Sequence, residues 1–456
     1  MSERLGNLVH AALLLLVAAA IAFLSTRYAV VADWSRERSA SLGEASVAML
    51  QSLDAPVEVI SYARRQGGLR KVVADFVDRY RRVKPDLSLR FVDPDEDPGA
   101  MRAAGVNVDG EMEIRYKDRR ERLKVLGEAE FSSTLLRLSR ARERIVAFLE
   151  GEGERQPLGK ANADLGQFVG ALAERGLRAV PLPLANVGKV PENTDLVVIA
   201  DPQVAVPDAV AAELVDYLDR GGALLWLAEP DEAAGLDGLA AALGLRLLPG
   251  TLVDGSGQAL GLGDPSFVAL TAYPPHAITR DFALTTLFPQ PVALARLSQS
   301  RWDAQPILRS SEKSWNETGT IPKAGEAGDT IRQDADAGEI PGPLDLGFAL
   351  TRVSPRPDRR EQRAVVIGDG DFLSNSFLGN GGNREFGQRV FDWLLGDDAQ
   401  IAIADRVAAD RTLDFTQAQL SALGLVFLIG LPLLLAGCGT WIAWRRRRGG
   451  APDARR

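Results

Sequence analysis

Apolar residues cluster along this chain at two scales. Long unbroken runs mark its ends, and short periodic ones fill the middle. Residues 420–444 carry no charged side chain. A helix of that length, rising about 1.5 Å per residue, crosses a hydrocarbon core of about 30 Å. Arg445, Arg446, Arg447 and Arg448 follow at once, and such a block stays on the cytoplasmic side, next to anionic headgroups. The run 8–24, broken only by His10 and bordered by Arg4 and Arg27, predicts a second span. Small residues over 18–22 keep a cleaved signal peptide open as the alternative. The pattern therefore predicts a two-pass protein of the inner membrane, with its large central region extracytoplasmic.

Between the spans the period changes. Strands are expected over 57–62 and 87–92. An amphipathic helix over 71–84 lies between them, with Val72, Val73, Phe76, Val77 and Tyr80 on one face. A short helix over 100–104, a hairpin of 111–116 and 121–125 around the turn 117–120, and a helix over 130–140 complete this unit. The order resembles that of thioredoxin, as do Phe91-Val92-Asp93 and Ala103-Ala104-Gly105-Val106, but the redox cysteine pair is missing.

The run 145–149 is wholly apolar, as a parallel strand buried on both faces requires. Further strands are expected over 178–182, 195–200, 223–228 and 245–248, with helices over 163–175, 236–243 and from a capping Asp208. Residues 251–306 lose periodicity, and the polar stretch 310–346 is expected to be a long excursion. A buried strand returns at 364–368, followed by a helix over 385–395. Strands alternating with helices indicate a doubly wound α/β domain, and the strand–helix–Gly-Gly–strand segment ending at 228 resembles the class I amidotransferase-like fold. The expected architecture is an α/β protein. An anchor (1–26) precedes a thioredoxin-like unit (27–143) and an amidotransferase-like, flavodoxin-like domain (144–405). A linker (406–419), a second membrane helix (420–444) and a basic tail (445–456) follow.

Composition narrows the function. Asp and Glu outnumber Lys and Arg, 61 to 53, for a net charge of −8, which disfavours nucleic acid as a partner. The one cysteine, Cys438, lies in the second expected span, so the central region has no disulfide, thiolate metal site or catalytic thiol. Neither a phosphate-binding Gly-rich loop ending in Gly-Lys-Ser/Thr nor a Gly-x-Ser-x-Gly elbow is present. His276 is the only central histidine, too little for a triad, and is expected to be structural.

Several segments together resemble a family. Residues 128–140, the loop Gly151-Glu152-Gly153-Glu154-Arg155, the segment Ser314-Trp315-Asn316-Glu317-Thr318 and the run from Gly368-Asp369-Gly370-Asp371 to Asn375 are similar to GldG-type auxiliary subunits of ABC transporters. Glu152 stands where that family commonly has His. The resemblance implies a non-catalytic extracytoplasmic subunit, partnered by a separate permease and, through it, an ATP-binding subunit.

Open α/β sheets bind ligands beyond the carboxyl ends of their strands. Glu152, Glu154, Arg155, Asp201, Asp369, Asp371 and Asn375 are thus the candidate crevice contacts. The bland account is a loop whose acids face Arg155 or a helix N-terminus. Asp369 and Asp371 suit a hard cation, but no twelve-residue calcium loop surrounds them and an Asp-Gly turn explains them, so neither metal nor cofactor is expected. Gly430 and Gly437, with Ala436, stand at helical spacings suited to close packing in lipid. An exported protein that binds a peptide or glycan in the crevice is the alternative function.

Overall fold

The computed structural model describes residues 41–397 except 107, 141, 231–233, 261, 322–330 and 358–360, together with 13, 17, 427, 429 and 431–448. The chain divides into two compact units, Met1–Arg406 and Val407–Arg456.

In the first unit, β1 (Val57–Tyr62), β2 (Leu87–Val92), β3 (Met112–Tyr116) and β4 (Arg119–Leu123) form a sheet in the order β2-β1-β3-β4. β1 and β2 are parallel, joined by helix Leu69–Val83, while β3 is antiparallel to both β1 and β4. Val73, Phe76, Val77 and Tyr80 recur at three- and four-residue spacing, so one face of that helix is buried. Phe131 of helix Glu128–Ser139 meets Phe76 edge-on at 5.5 Å, and the buried Tyr80 hydroxyl is 3.1 Å from Ser132 Oγ. The hairpin is tighter than its sequence suggests. Lys117 adopts φ 52°, which leaves a two-residue turn and starts β4 at Arg119. Arg119, Arg120 and Arg122 are exposed, so this strand opens without the alternation that would mark it.

β5 (Arg144–Leu149), β6 (Leu177–Leu182), β7 (Leu196–Ala200) and β8 (Leu224–Leu227) follow. After them come β9 (Leu245–Leu247), β10 (Thr251–Asp254), β11 (Phe267–Leu270), β12 (Thr286–Pro289) and β13 (Leu294–Arg296). β14 (Asp303–Arg309), β15 (Ser314–Glu317), β16 (Asp345–Val353) and β17 (Glu361–Ile367) complete the series. Among the described residues, one sheet runs β6-β5-β7-β8-β17-β16-β13-β9, with β14 paired to β16. The first five of these strands are parallel and the remainder antiparallel.

Alternating side chains of the parallel strands enter two cores. Val146 and Phe148 pack with Phe168 and Leu172 of helix Gly166–Glu174 and with Phe386 and Val390 of helix Asn383–Leu394. Ala147 and Leu149 pack on the other face with Leu214 of helix Asp208–Asp219 and Leu239 of helix Asp237–Leu243. Cover on both faces explains the unbroken apolar runs.

Two expectations fail here. Residues 251–306 hold β10 to β13 and the start of β14, and the polar excursion contains β15, which pairs antiparallel with β10. These strands are short, and their partners are distant in sequence, so local pattern does not reveal them. Asp208 is the first helical residue and caps nothing; Pro207 holds the N-cap position.

Among the described residues no helix is long and apolar enough to cross a membrane. Most of the first expected span lies outside them, as do residues 420–426, 428 and 430 of the second. The second unit shows helix Leu431–Arg448, which includes the Arg cluster.

Candidate functional site

The strands β5, β7, β8 and β17 are neighbours, and each ends at the same edge in a charged segment. β6 lies on one side of β5 and β7 on the other, so strand order reverses beside β5, the position where open α/β sheets leave a crevice.

The loop after β5 turns through Gly151 (φ 139°) and Gly153 (φ 84°), conformations that a side chain resists. It brings Arg155 back to the sheet, where its backbone N–H donates to Ala200 O at 3.0 Å. The Arg155 side chain is 7% exposed and spans three acids. Nη1 donates to Asp371 Oδ1 at 2.8 Å, and Nη2 donates to Glu229 Oε1 at 2.8 Å and lies 3.1 Å from Asp201 Oδ2. The Gly370 N–H also donates to Glu229 Oε1, at 2.8 Å. Only glycine fits there comfortably, since a Cβ would stand 3.1 Å from Arg155 Nε and 3.2 Å from Glu229 Oε1. Asp369 is wholly buried, and its Oδ1 accepts the Asp371 N–H at 2.6 Å.

Four carboxyl groups thus surround one guanidinium. Burial pushes Glu229 up to about 8, with Arg155 opposing and Asp201 adding to the rise. Burial, then Glu229 and Asp371, hold Asp369 well above the usual carboxylate range. Asp201 is also raised by burial. Burial disfavours the Arg155 charge, but the surrounding carboxylates outweigh it and raise the guanidinium further.

The structure brings Arg155, Asp201, Asp369 and Asp371 together and adds Glu229, which sequence reasoning missed. A signal existed: Glu229-Pro230 follows β8 as Asp201-Pro202 follows β7. Glu152 and Glu154 face each other instead. Glu154 Oε2 accepts the Glu152 N–H at 2.9 Å, and burial followed by the Glu154 hydrogen bond raises the Glu152 carboxyl. Asn375 ties a loop: it accepts from Gln167 N–H at 2.8 Å and donates to Ala161 O at 2.7 Å. His276 accepts the Ile278 N–H at 3.2 Å and stacks edge-on against Trp393. Gly437 is exposed on its helix, and Gly430 lies outside the described residues.

No Cys or His is among the residues that form this cluster. The Ser374 hydroxyl close by in sequence is buried without a hydrogen-bond partner, so no base activates it. The arrangement can hold charge and protons, but it presents no nucleophile–base pair.

A comparison with curated proteins gives no match. Among solved structures, the N-terminal domain of mmIFT52 is similar at 14% identity and a TM-score of 0.41, over 59% of this chain and 100% of that one. A cytoplasmic protein from Salmonella typhimurium is similar at 12% identity and a TM-score of 0.31, over 55% of this chain and 98% of its own. Residues 143–393, more than half of the chain and every strand that ends at the crevice, match the family of auxiliary components described as an ABC-type uncharacterized transport system, and the chain belongs to that family.

Proposed function

We propose that this protein is a non-catalytic, membrane-anchored auxiliary subunit of the GldG type, with its large central region extracytoplasmic, assembling with a separate permease and ATP-binding subunit. The family match over 143–393 carries the reading. The charge-free stretch 420–444 ahead of four arginines, and the apolar run 8–24, support the two anchors. In this reading the N-terminal sheet is a thioredoxin-like scaffold without thiols, and the larger one an amidotransferase-like scaffold without its cysteine. Gly430 and Gly437 then belong to a helix face that packs against the permease. Binding of a peptide or glycan in the crevice is less well supported, because the Arg155 side chain is already committed to Asp201, Glu229 and Asp371.

Reporter fusions and copurification test this. Fusions at Arg38 and Asp414 should read as exported and one after Arg448 as cytoplasmic. The double exchange of Gly430 and Gly437 for Leu should weaken copurification with the permease while the central body stays folded. A cytoplasmic signal at Asp414, or unchanged copurification with full function, overturns the proposal.

A further inference from the structure

We infer that Glu229, Asp369 and Asp371 form a binding site for one calcium-sized divalent cation at the strand ends. One carboxylate oxygen from each residue lies within 4.8 Å of the others. Calcium takes oxygen ligands at about 2.3–2.6 Å and magnesium at about 2.0–2.1 Å. Three protein carboxylates favour calcium, because magnesium demands near-ideal octahedral geometry, keeps several waters and is seldom bound by a dedicated all-protein cage.

Acidic groups often gather without an ion, so spacing alone decides nothing. The deciding atom is Asp369 Oδ2. Asp369 is 0% exposed, its Oδ1 is taken by the Asp371 N–H, and Oδ2 has no hydrogen-bond partner. Folded proteins leave few buried polar atoms in this state, and a cation supplies the missing partner. Arg155 takes one oxygen of each of two carboxylates. It holds Asp371 Oδ1 and Glu229 Oε1, which leaves the second oxygen of each carboxylate for the ion.

Charge points the same way. Fully ionised, Asp201, Glu229, Asp369 and Asp371 outnumber the one guanidinium among them, and a divalent cation in place of the protons that burial keeps on Glu229 and Asp369 brings the group close to balance. Asp371 is 29% exposed, so an ion has a path in, and water can complete its coordination. The inference rests on the crevice alone and stands whether or not the transporter reading holds.

Calorimetric titration of the chelator-stripped, full-length protein in detergent with calcium chloride tests it. One saturable site is expected, with a dissociation constant on the order of 0.1–1 mM and magnesium binding at least tenfold more weakly. Calcium should also raise the melting temperature. Asp369→Asn and Glu229→Gln should each lower calcium affinity tenfold or more and abolish that rise, while melting near the wild-type temperature in chelator, which shows they are folded. No saturable heat or melting shift up to about 10 mM calcium overturns the inference. So does an Asp369→Asn variant that binds as wild type, because the cluster then balances its charge with protons.

Discussion

Arg155→Met removes the guanidinium that Asp201, Glu229 and Asp371 share while keeping much of the side-chain volume. Its partners are three acids at 2.8, 2.8 and 3.1 Å, and the side chain is only 7% exposed, so water screens little of the attraction. Two unit charges about 4 Å apart attract by about 4 kcal/mol at an effective dielectric of 20. Much of this offsets the cost of burying the charges. What the variant exposes is the penalty of leaving acids buried without their cation, on the order of 3–5 kcal/mol. For a domain of this size that corresponds to a melting temperature lower by roughly 10 °C. Arg155→Lys keeps the charge but not the planar fork, and should lose about 2 kcal/mol. Pairing Arg155→Met with Glu229→Gln should recover part of the loss, since one stranded carboxylate becomes neutral. The assay is urea and thermal unfolding of the full-length protein in chelator, followed by near-ultraviolet circular dichroism. A loss below about 1 kcal/mol for Arg155→Met would refute the view that this ion cluster depends on the guanidinium.

Asp392, buried beside Arg175 at 2.6 Å, is pushed up to about 7 by its burial. Between the ordinary carboxylate range and neutral pH the folded state keeps a proton that the unfolded chain has lost. Stability should therefore fall by a few kcal/mol as pH rises through that window, and Asp392→Asn should flatten the slope in urea titrations at stepped pH. Gly368→Ala should lower the unfolding free energy by at least about 2 kcal/mol, read as a lower urea midpoint, since its Cβ would lie 2.0 Å from Val292 O, against a backbone already held by the Val292 N–H to Gly368 O bond. An unchanged midpoint would mean that this close approach is not a real constraint.

The sequence alone determined the buried parallel strands and most of what they carry. Val146, Phe148, Val197, Ile199, Leu225, Val365 and Ile367 belong to unbroken apolar runs, and a strand covered on both faces has no polar side to hide its period. Because ligand positions in such sheets lie past the strand ends, Arg155, Asp201, Asp369 and Asp371 were legible too. Glu229 was not. Its Glu-Pro reads as loop punctuation, and only the placement of β8 between β7 and β17 sets it against Arg155. The antiparallel extension was hidden for a related reason. β10 and β15 are four residues each and pair across some sixty intervening positions, so their stability comes from partners that no local window contains. Tertiary structure likewise decided that Glu152 and Glu154 face one another and that Asn375 secures a loop. Local sequence fixes which face of an element is apolar, but sheet order decides which charges at its end are brought together and left to neutralise one another.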